Sequence, residues 1–76
     1  MSETAEVVFG ARLRALRRSQ GVTQAELAGE MRRAGFNWHQ TTVAKTEAAQ
    51  RPVRVNEANH AAAIFGVSLI ELMVDA

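Results

Sequence analysis

The chain has 76 residues, which leaves room for one domain, and its lack of cysteine excludes disulfides and thiolate metal sites and suits a reducing cytoplasm. No apolar run approaches the roughly 20 residues of a membrane-spanning helix, and the polar, acidic start is unlike a secretory signal peptide. The net charge of +1 by itself says little about a partner.

The basic residues are concentrated in the first two-thirds of the chain. All nine lie between positions 12 and 54, and this segment nets +6, whereas residues 1–11 net −2 and residues 55–76 net −3. Such an asymmetry indicates an anionic partner, although solvated helix faces would produce the same pattern.

The first part of the chain predicts a tail and two helices. We expect residues 1–5 to form a frayed tail and helix 1 to run on to about Gln20, where Gly21 can take the positive φ of a helix end. Thr23 and Glu26 have the spacing of a capping box, which opens helix 2. The residues predicted to face inward from these helices are Val8, Phe9, Leu13, Leu16, Leu27, Ala28, Met31 and Ala34.

The connection after helix 2 combines small residues with two large aromatic ones. Phe36 and Trp38 are expected to fold back into the core, and docking of a partner on the surface is the alternative. Helix 3 has two candidate N-caps, Asn37 and His39, between which the sequence does not decide. Inside helix 2, Gly29 costs roughly 1 kcal/mol relative to alanine unless close packing needs it.

Helix 3 is predicted over about 39–49, and its two faces differ in chemistry. At about 100° per residue, one face holds a single aliphatic residue and the only carboxylate: Thr42, Val43, Thr46 and Glu47. The other face is polar or small throughout: Gln40, Thr41, Ala44, Lys45 and Ala48. Amides, hydroxyls and ammonium groups bind base edges and phosphates, and alanines allow close approach. This pattern predicts a DNA recognition helix presented by the rest of the chain.

The last third of the chain predicts two further helices. Helix 3 should end by about Gln50, because Pro52 disfavours the α conformation at the preceding residue. Helix 4 is predicted from about 56 to 65, and Ser68 and Glu71 have the spacing of a second capping box, which opens a short helix 5. The residues predicted to face inward are Ala58, Ala61, Ala62, Phe65, Leu69, Leu72 and Met73. No segment alternates with the period of a strand.

Three segments carry motifs that are specific when they occur together and in this order. Residues 13–28 end in Thr-Gln-Ala-Glu-Leu-Ala, residues 42–47 read Thr-Val-Ala-Lys-Thr-Glu, and residues 65–72 read Phe-Gly-Val-Ser-Leu-Ile-Glu-Leu. With these motifs the chain resembles the Cro and lambda-repressor family of helix-turn-helix domains over about residues 8–74. The resemblance implies a compact, all-α, five-helix domain that binds double-stranded DNA.

The resemblance also assigns roles to individual residues. The positions that match the family's base contacts are Gln40, Thr41 and Lys45; a glutamine can pair with adenine and a lysine can donate to guanine. The candidate phosphate contacts are Gln24, Arg51 and Arg54, with Gln50, His39 and Arg14 as further candidates. The alternative is that these are ordinary solvated polar side chains, with Gln24 a simple helix-start glutamine and His39 a helix cap or a satisfied structural histidine. Arg17 and Glu47 match a pair that joins helix 1 to helix 3.

The chain departs from the family in the connection between Ala28 and Gln40, which is about five residues longer than the usual spacing around the turn. We expect helix 2 to gain a turn. The start of helix 3 therefore stays open, and so does the question of which of His39, Gln40 and Thr41 faces the bases.

The expected function is transcription regulation, in particular as a repressor that occupies a palindromic operator as a homodimer, with helix 3 in the major groove. The candidate dimer interface is the apolar surface of helix 5, namely Ile70, Met73 and Val74; burial of these residues in the core is the alternative.

The alternative function is a protein-interaction module that binds an acidic protein. Such a surface needs large apolar anchors, for which only Phe36 and Trp38 are available. An enzyme is not indicated, since there is no Gly-rich phosphate loop and no plausible pair of carboxylates. His39 and His60 lie on different predicted elements without further ligands, so no metal or other cofactor is expected.

Overall fold

The computed structural model describes residues 4–73, and this part of the chain forms five α-helices and no strand. The helices are α1 (Ala5–Ser19), α2 (Gln24–Arg33), α3 (Gln40–Glu47), α4 (Val55–Ile64) and α5 (Leu69–Met73). The predicted all-α, five-helix fold is therefore confirmed. Within the described range no helix is long and apolar enough to cross a membrane.

One core is shared by all five helices and by the α2–α3 connection. Its buried apolar residues are Phe9, Leu13, Leu27, Ala28, Met31, Trp38, Val43, Ala58, Ala61, Ala62, Phe65 and Leu72. Leu16 and Leu69 pack against this core and are partly buried. The prediction for Ala34 was wrong: α2 ends at Arg33, so Ala34 is the C-cap and is exposed. Met73, which was also predicted to face inward, is 36% exposed.

Side-chain caps set the starts of the first two helices. Thr23 Oγ1 accepts from the Glu26 amide at 3.0 Å, and the Glu26 carboxylate accepts from the Thr23 amide at 2.8 Å, which is the predicted capping box. Thr4 Oγ1 accepts from a first-turn amide of α1 at 3.3 Å. The prediction of a frayed tail was therefore wrong for Thr4 and Ala5, while residues 1–3 lie outside the described residues.

The next two helices begin where a side-chain oxygen in the first turn accepts from the N-cap amide. α3 has His39 rather than Asn37 as its N-cap, and the His39 amide donates to Thr42 Oγ1 at 3.0 Å. α4 begins one residue earlier than predicted, because Arg54 is its N-cap and the Arg54 amide donates to Glu57 Oε1 at 3.0 Å.

The end of α3 is built on a non-glycine residue in the left-handed conformation. After α1, Gly21 takes a φ of 69° as predicted, but after α3 the corresponding residue is Ala49, with a φ of 57°. The Gln50 amide donates to the Lys45 carbonyl oxygen at 2.8 Å and closes the last turn. α3 therefore ends at Glu47, two residues before the predicted end.

Gly10 allows α1 to pass close to the end of α3. A Cβ atom at this position would lie 2.5 Å from the carbonyl oxygen of Thr46 and 2.8 Å from that of Glu47. Both are backbone atoms of the last turn of α3, so they cannot move aside as a flexible side chain can. The missing side chain at Gly10 therefore sets how closely the two helices approach.

Replacement of Gly10 by alanine should destabilise the domain by about 1–3 kcal/mol, because the two helices must separate to admit the methyl group. Gly29→Ala is the matched control, since a Cβ at Gly29 would meet only the Arg32 side chain at 3.8 Å. This change should stabilise the domain by up to about 1 kcal/mol through helix propensity. Urea unfolding of both variants measures the two effects, and wild-type stability of Gly10→Ala would contradict the close packing of α1 on α3.

Candidate nucleic-acid interface

α3 has one face in the core and one face in solvent, as the sequence pattern predicts. Val43 and Thr46 are fully buried, at 0% and 1% exposure. The residues of α3 whose side chains are exposed are Gln40, Thr41 and Lys45. This outer face offers an amide, a hydroxyl and an ammonium group, and it contains no carboxylate.

The carboxylate of α3 is held by side chains of α1 and α2. Arg17 Nε donates to Glu47 Oε2 at 2.6 Å and Arg17 Nη2 donates to Oε1 at 3.0 Å, while Gln24 Nε2 donates to Oε1 at 3.2 Å. The two charged side chains are only 10% and 3% exposed. The hydrogen bond to Glu47 raises the pKa of Arg17, although burial acts in the opposite direction. Glu47 thus links α3 to both neighbouring helices.

A groove beside α3 contains two of the predicted phosphate contacts. Arg14 from α1 and Gln24 from α2 line it, together with Ala44 of α3 and its C-cap Ala48, and with the paired side chains of Arg17 and Glu47. Arg18 lines the same groove and is exposed. Sequence reasoning missed Arg18, whose spacing of four residues from Arg14 places the two guanidinium groups on the same face of α1.

The other predicted phosphate contacts lie elsewhere on the surface. His39 and Arg54 are exposed and are the N-caps of α3 and α4. Gln50 and Arg51 line a second groove, where Glu6 of α1 is a neighbour. The predicted set therefore does not form one continuous groove.

Arg51 already has partners inside the domain. Its Cζ lies 5.4 Å from the centroid of the Trp38 ring, its Nη1 donates to Thr46 Oγ1 at 3.2 Å, and its Nη2 lies 3.4 Å from Glu57 Oε2. The Arg51 side chain is 26% exposed. The sequence did not indicate these contacts, because no helical spacing relates the four residues.

Trp38 anchors the connection between α2 and α3 in the core. It is 1% exposed, its indole Nε1 donates to Glu57 Oε2 at 2.7 Å, and its carbonyl oxygen accepts from Arg32 Nη1 at 2.7 Å. Phe36 is partly buried, with its ring 5.7 Å from that of His60. The predicted burial is confirmed for Trp38, whereas Phe36 packs against the core and stays partly exposed.

Glu57 is a buried carboxylate that the surrounding groups keep charged. Burial is the largest single influence and raises its pKa, but hydrogen bonds from the Trp38 indole and the Arg54 amide act against it. Together with the charge and hydrogen bonds of Arg51, they bring the pKa of Glu57 below its ordinary value.

The arrangement of α2 and α3 against α1 is that of a helix-turn-helix domain. The family model described as a helix-turn-helix domain matches residues 8–73, and the chain belongs to that family. This confirms the resemblance found in the sequence motifs.

Two solved structures are similar to the chain. One is the clp gene regulator ClgR from Corynebacterium glutamicum, with 22% sequence identity and a TM-score of 0.83 over 95% of this chain and 71% of that chain. The other is the DNA-binding domain of BldD, with 28% identity and a TM-score of 0.74 over 97% of this chain and 100% of that chain. No match to a curated protein sequence was found.

Replacement of Glu47 by glutamine should destabilise the domain by about 3–5 kcal/mol, because the buried guanidinium of Arg17 loses its counter-charge. Glu30→Gln is the matched control, because it breaks an exposed ion pair with Arg33. The Glu30 side chain is 47% exposed and the Arg33 side chain is 79% exposed. The control should change the free energy of unfolding by less than about 1 kcal/mol. Thermal and urea unfolding compare the two variants, and equal losses would mean that the Arg17–Glu47 pair has no special role.

The stability that Glu57 contributes should depend on pH. A carboxyl group whose pKa is lowered by folding adds stability at any pH above its ordinary pKa, here 4.5. This stability is lost as the pH falls through the pKa of the folded state. The difference in unfolding free energy between the wild type and Glu57→Gln should therefore be constant near neutral pH and shrink below 4.5. Urea titrations across this range measure it; a difference that stays constant into acid would show that Glu57 has an ordinary pKa.

Proposed function

We propose that this domain binds double-stranded DNA sequence-specifically and regulates transcription, with α3 in the major groove. The observation that carries the proposal is the outer face of α3, where Gln40, Thr41 and Lys45 are exposed while the carboxylate of Glu47 is held by α1 and α2. Membership of the helix-turn-helix domain family supports it, as does the similarity to a gene regulator and to a DNA-binding domain.

The proposed base contacts follow from side-chain chemistry. The Gln40 amide can donate and accept at once, as adenine requires in the major groove, and the Lys45 ammonium can donate to guanine. Thr41 offers a hydroxyl to either kind of base. Ala44 and Ala48 have short side chains, so the helix can lie close to the base edges.

The proposed phosphate contacts surround this face. Arg14 and Gln24 act from the groove beside α3, and Arg18 joins them there. The exposed residues His39, Gln50 and Arg54 are the remaining proposed contacts. Main-chain amides at the start of α2, next to Gln24, add to the attraction for phosphate.

Two copies of the domain are proposed to occupy one palindromic operator and repress transcription in the cytoplasm. A single copy makes few base contacts, and paired helix-turn-helix domains bind half-sites about 34 Å apart, one turn of DNA. On α5, Ile70 is 67% exposed and Met73 is 36% exposed, so burial of Ile70 in the core was the wrong alternative. These two residues are the proposed contact between the copies; Val74 lies outside the described residues.

Selection from a randomised duplex DNA pool at two salt concentrations tests the proposal. We expect an enriched palindrome whose affinity falls as salt rises, because each neutralised phosphate contributes about 0.9 to the slope of log K against log salt. The proposal is wrong if no sequence is enriched and the protein binds no duplex even at low salt.

Replacement of Gln40 by alanine should reduce discrimination at one base position of the enriched half-site by about 1–3 kcal/mol. Because Gln40 is exposed, stability should stay close to that of the wild type. Asn59→Ala, which removes an exposed amide from α4, is the control and should change neither quantity. Fluorescence anisotropy with single-base variants of the operator measures the discrimination; a wild-type profile for Gln40→Ala would exclude this residue as a base contact.

A further inference from the structure

The first turn of α3 depends on residues outside α3. Trp38 directly precedes the N-cap His39, so the position of its buried indole decides where the helix starts. That indole is held by the Glu57 carboxylate of α4 at 2.7 Å. The first turn of α3 is therefore linked to α4 as well as to α2.

Arg51 contacts each part of this arrangement. Its guanidinium lies over the Trp38 ring and beside Glu57, and it donates to the Thr46 hydroxyl of α3. It therefore joins the α2–α3 connection, α3 and α4 through one side chain.

A chain of hydrogen bonds extends from Arg51 to the N-cap of α3. Arg51 Nη1 donates to Thr46 Oγ1 at 3.2 Å, and Thr46 Oγ1 donates to the Thr42 carbonyl oxygen at 2.7 Å. Thr42 Oγ1 in turn accepts from the His39 amide at 3.0 Å. The first two bonds are partly buried and the third is exposed at the N-cap, so the chain connects the interior of the domain to the first turn of α3.

We propose that Arg51 is a positioning residue for base recognition and not a phosphate ligand. It holds Trp38 and Glu57 together, and through them and Thr46 it fixes the turn that presents Gln40. The effect of Arg51 on base recognition rests on the proposed function, whereas its effect on the position of α3 does not.

Charge and exposure separate Arg51 from Arg54. The Arg51 guanidinium is next to a carboxylate and its side chain is 26% exposed, whereas Arg54 is exposed and its contact with Glu57 is made by the main-chain amide. A phosphate that drew Arg51 outward would take the counter-charge from the buried Glu57 and uncover the Trp38 ring. Arg54 can bind a phosphate without either change.

The test compares Arg51→Met with the control Arg54→Met on the selected operator. Arg51→Met should raise Kd roughly tenfold, as expected when one base contact is impaired. It should abolish discrimination at the position contacted by Gln40 and keep discrimination at the position contacted by Lys45. The slope of log K against log salt should stay at the wild-type value. Arg54→Met should instead lower that slope by about 0.9 and leave both base preferences intact.

A lowered slope for Arg51→Met would overturn the proposal, and so would a wild-type Kd with wild-type base preferences. Arg51→Lys serves if the methionine variant does not fold, since lysine keeps the charge but lacks the planar fork that reaches two partners. The positioning role predicts that Arg51→Lys still loses the preference at the Gln40 position. A phosphate contact would be retained by lysine, together with that preference.

Amide hydrogen exchange of the free protein tests the same role without DNA. The amides of Thr42 and Val43 donate to the His39 carbonyl oxygen at 2.9 and 3.2 Å and report on the first turn of α3. Arg51→Met should accelerate their exchange relative to amides in α1, and Arg54→Met should not. Unchanged protection would overturn the positioning role, whereas accelerated exchange in a protein that binds no duplex would refute only the proposed function.

Discussion

The carboxylate of Glu47 is the group on which the presentation of α3 depends. It accepts two hydrogen bonds from Arg17 and one from Gln24, so a single side chain fixes α3 against α1 and α2. A buried ion pair adds little net stability compared with well-packed apolar residues, but it has one favourable geometry. Its effect here is therefore to orient the helix. Gly10 complements it, because α1 can reach Glu47 only where no side chain separates the two backbones.

The six residues between α2 and α3 raise a second difficulty, since every unanchored residue in this connection adds conformational freedom to the start of α3. Trp38 removes this freedom by burying its side chain and donating to Glu57. A buried aromatic residue contributes a large apolar area and only two rotatable side-chain bonds. Arg32 adds a hydrogen bond to the Trp38 carbonyl oxygen. Trp38 thereby anchors the connection in the core immediately before α3.

The charge pattern of the chain overstates the positive surface available to a partner. Of the nine basic residues, Arg17 is buried with Glu47, and Arg51 is partly buried beside Glu57. Arg33 is exposed but paired with Glu30. Counting cations along a sequence cannot distinguish Arg17 and Arg51 from exposed cations such as Arg14 and Arg18, because the partners of Arg17 and Arg51 come from other elements.

The sequence by itself determined the features that depend on local spacing. The capping box of Thr23 and Glu26, the positive φ of Gly21 and the two faces of α3 all follow from interactions within one helical turn or from one period of the helix.

Only the tertiary structure decided the features that join distant residues. The choice of His39 as N-cap follows from the burial of Trp38 against α4, and the engagement of Arg51 follows from the same cluster. Likewise, the need for glycine at position 10 arises from a backbone 36 residues further along the chain. These contacts have no periodic signature, because the chain brings the groups together only after the helices have packed.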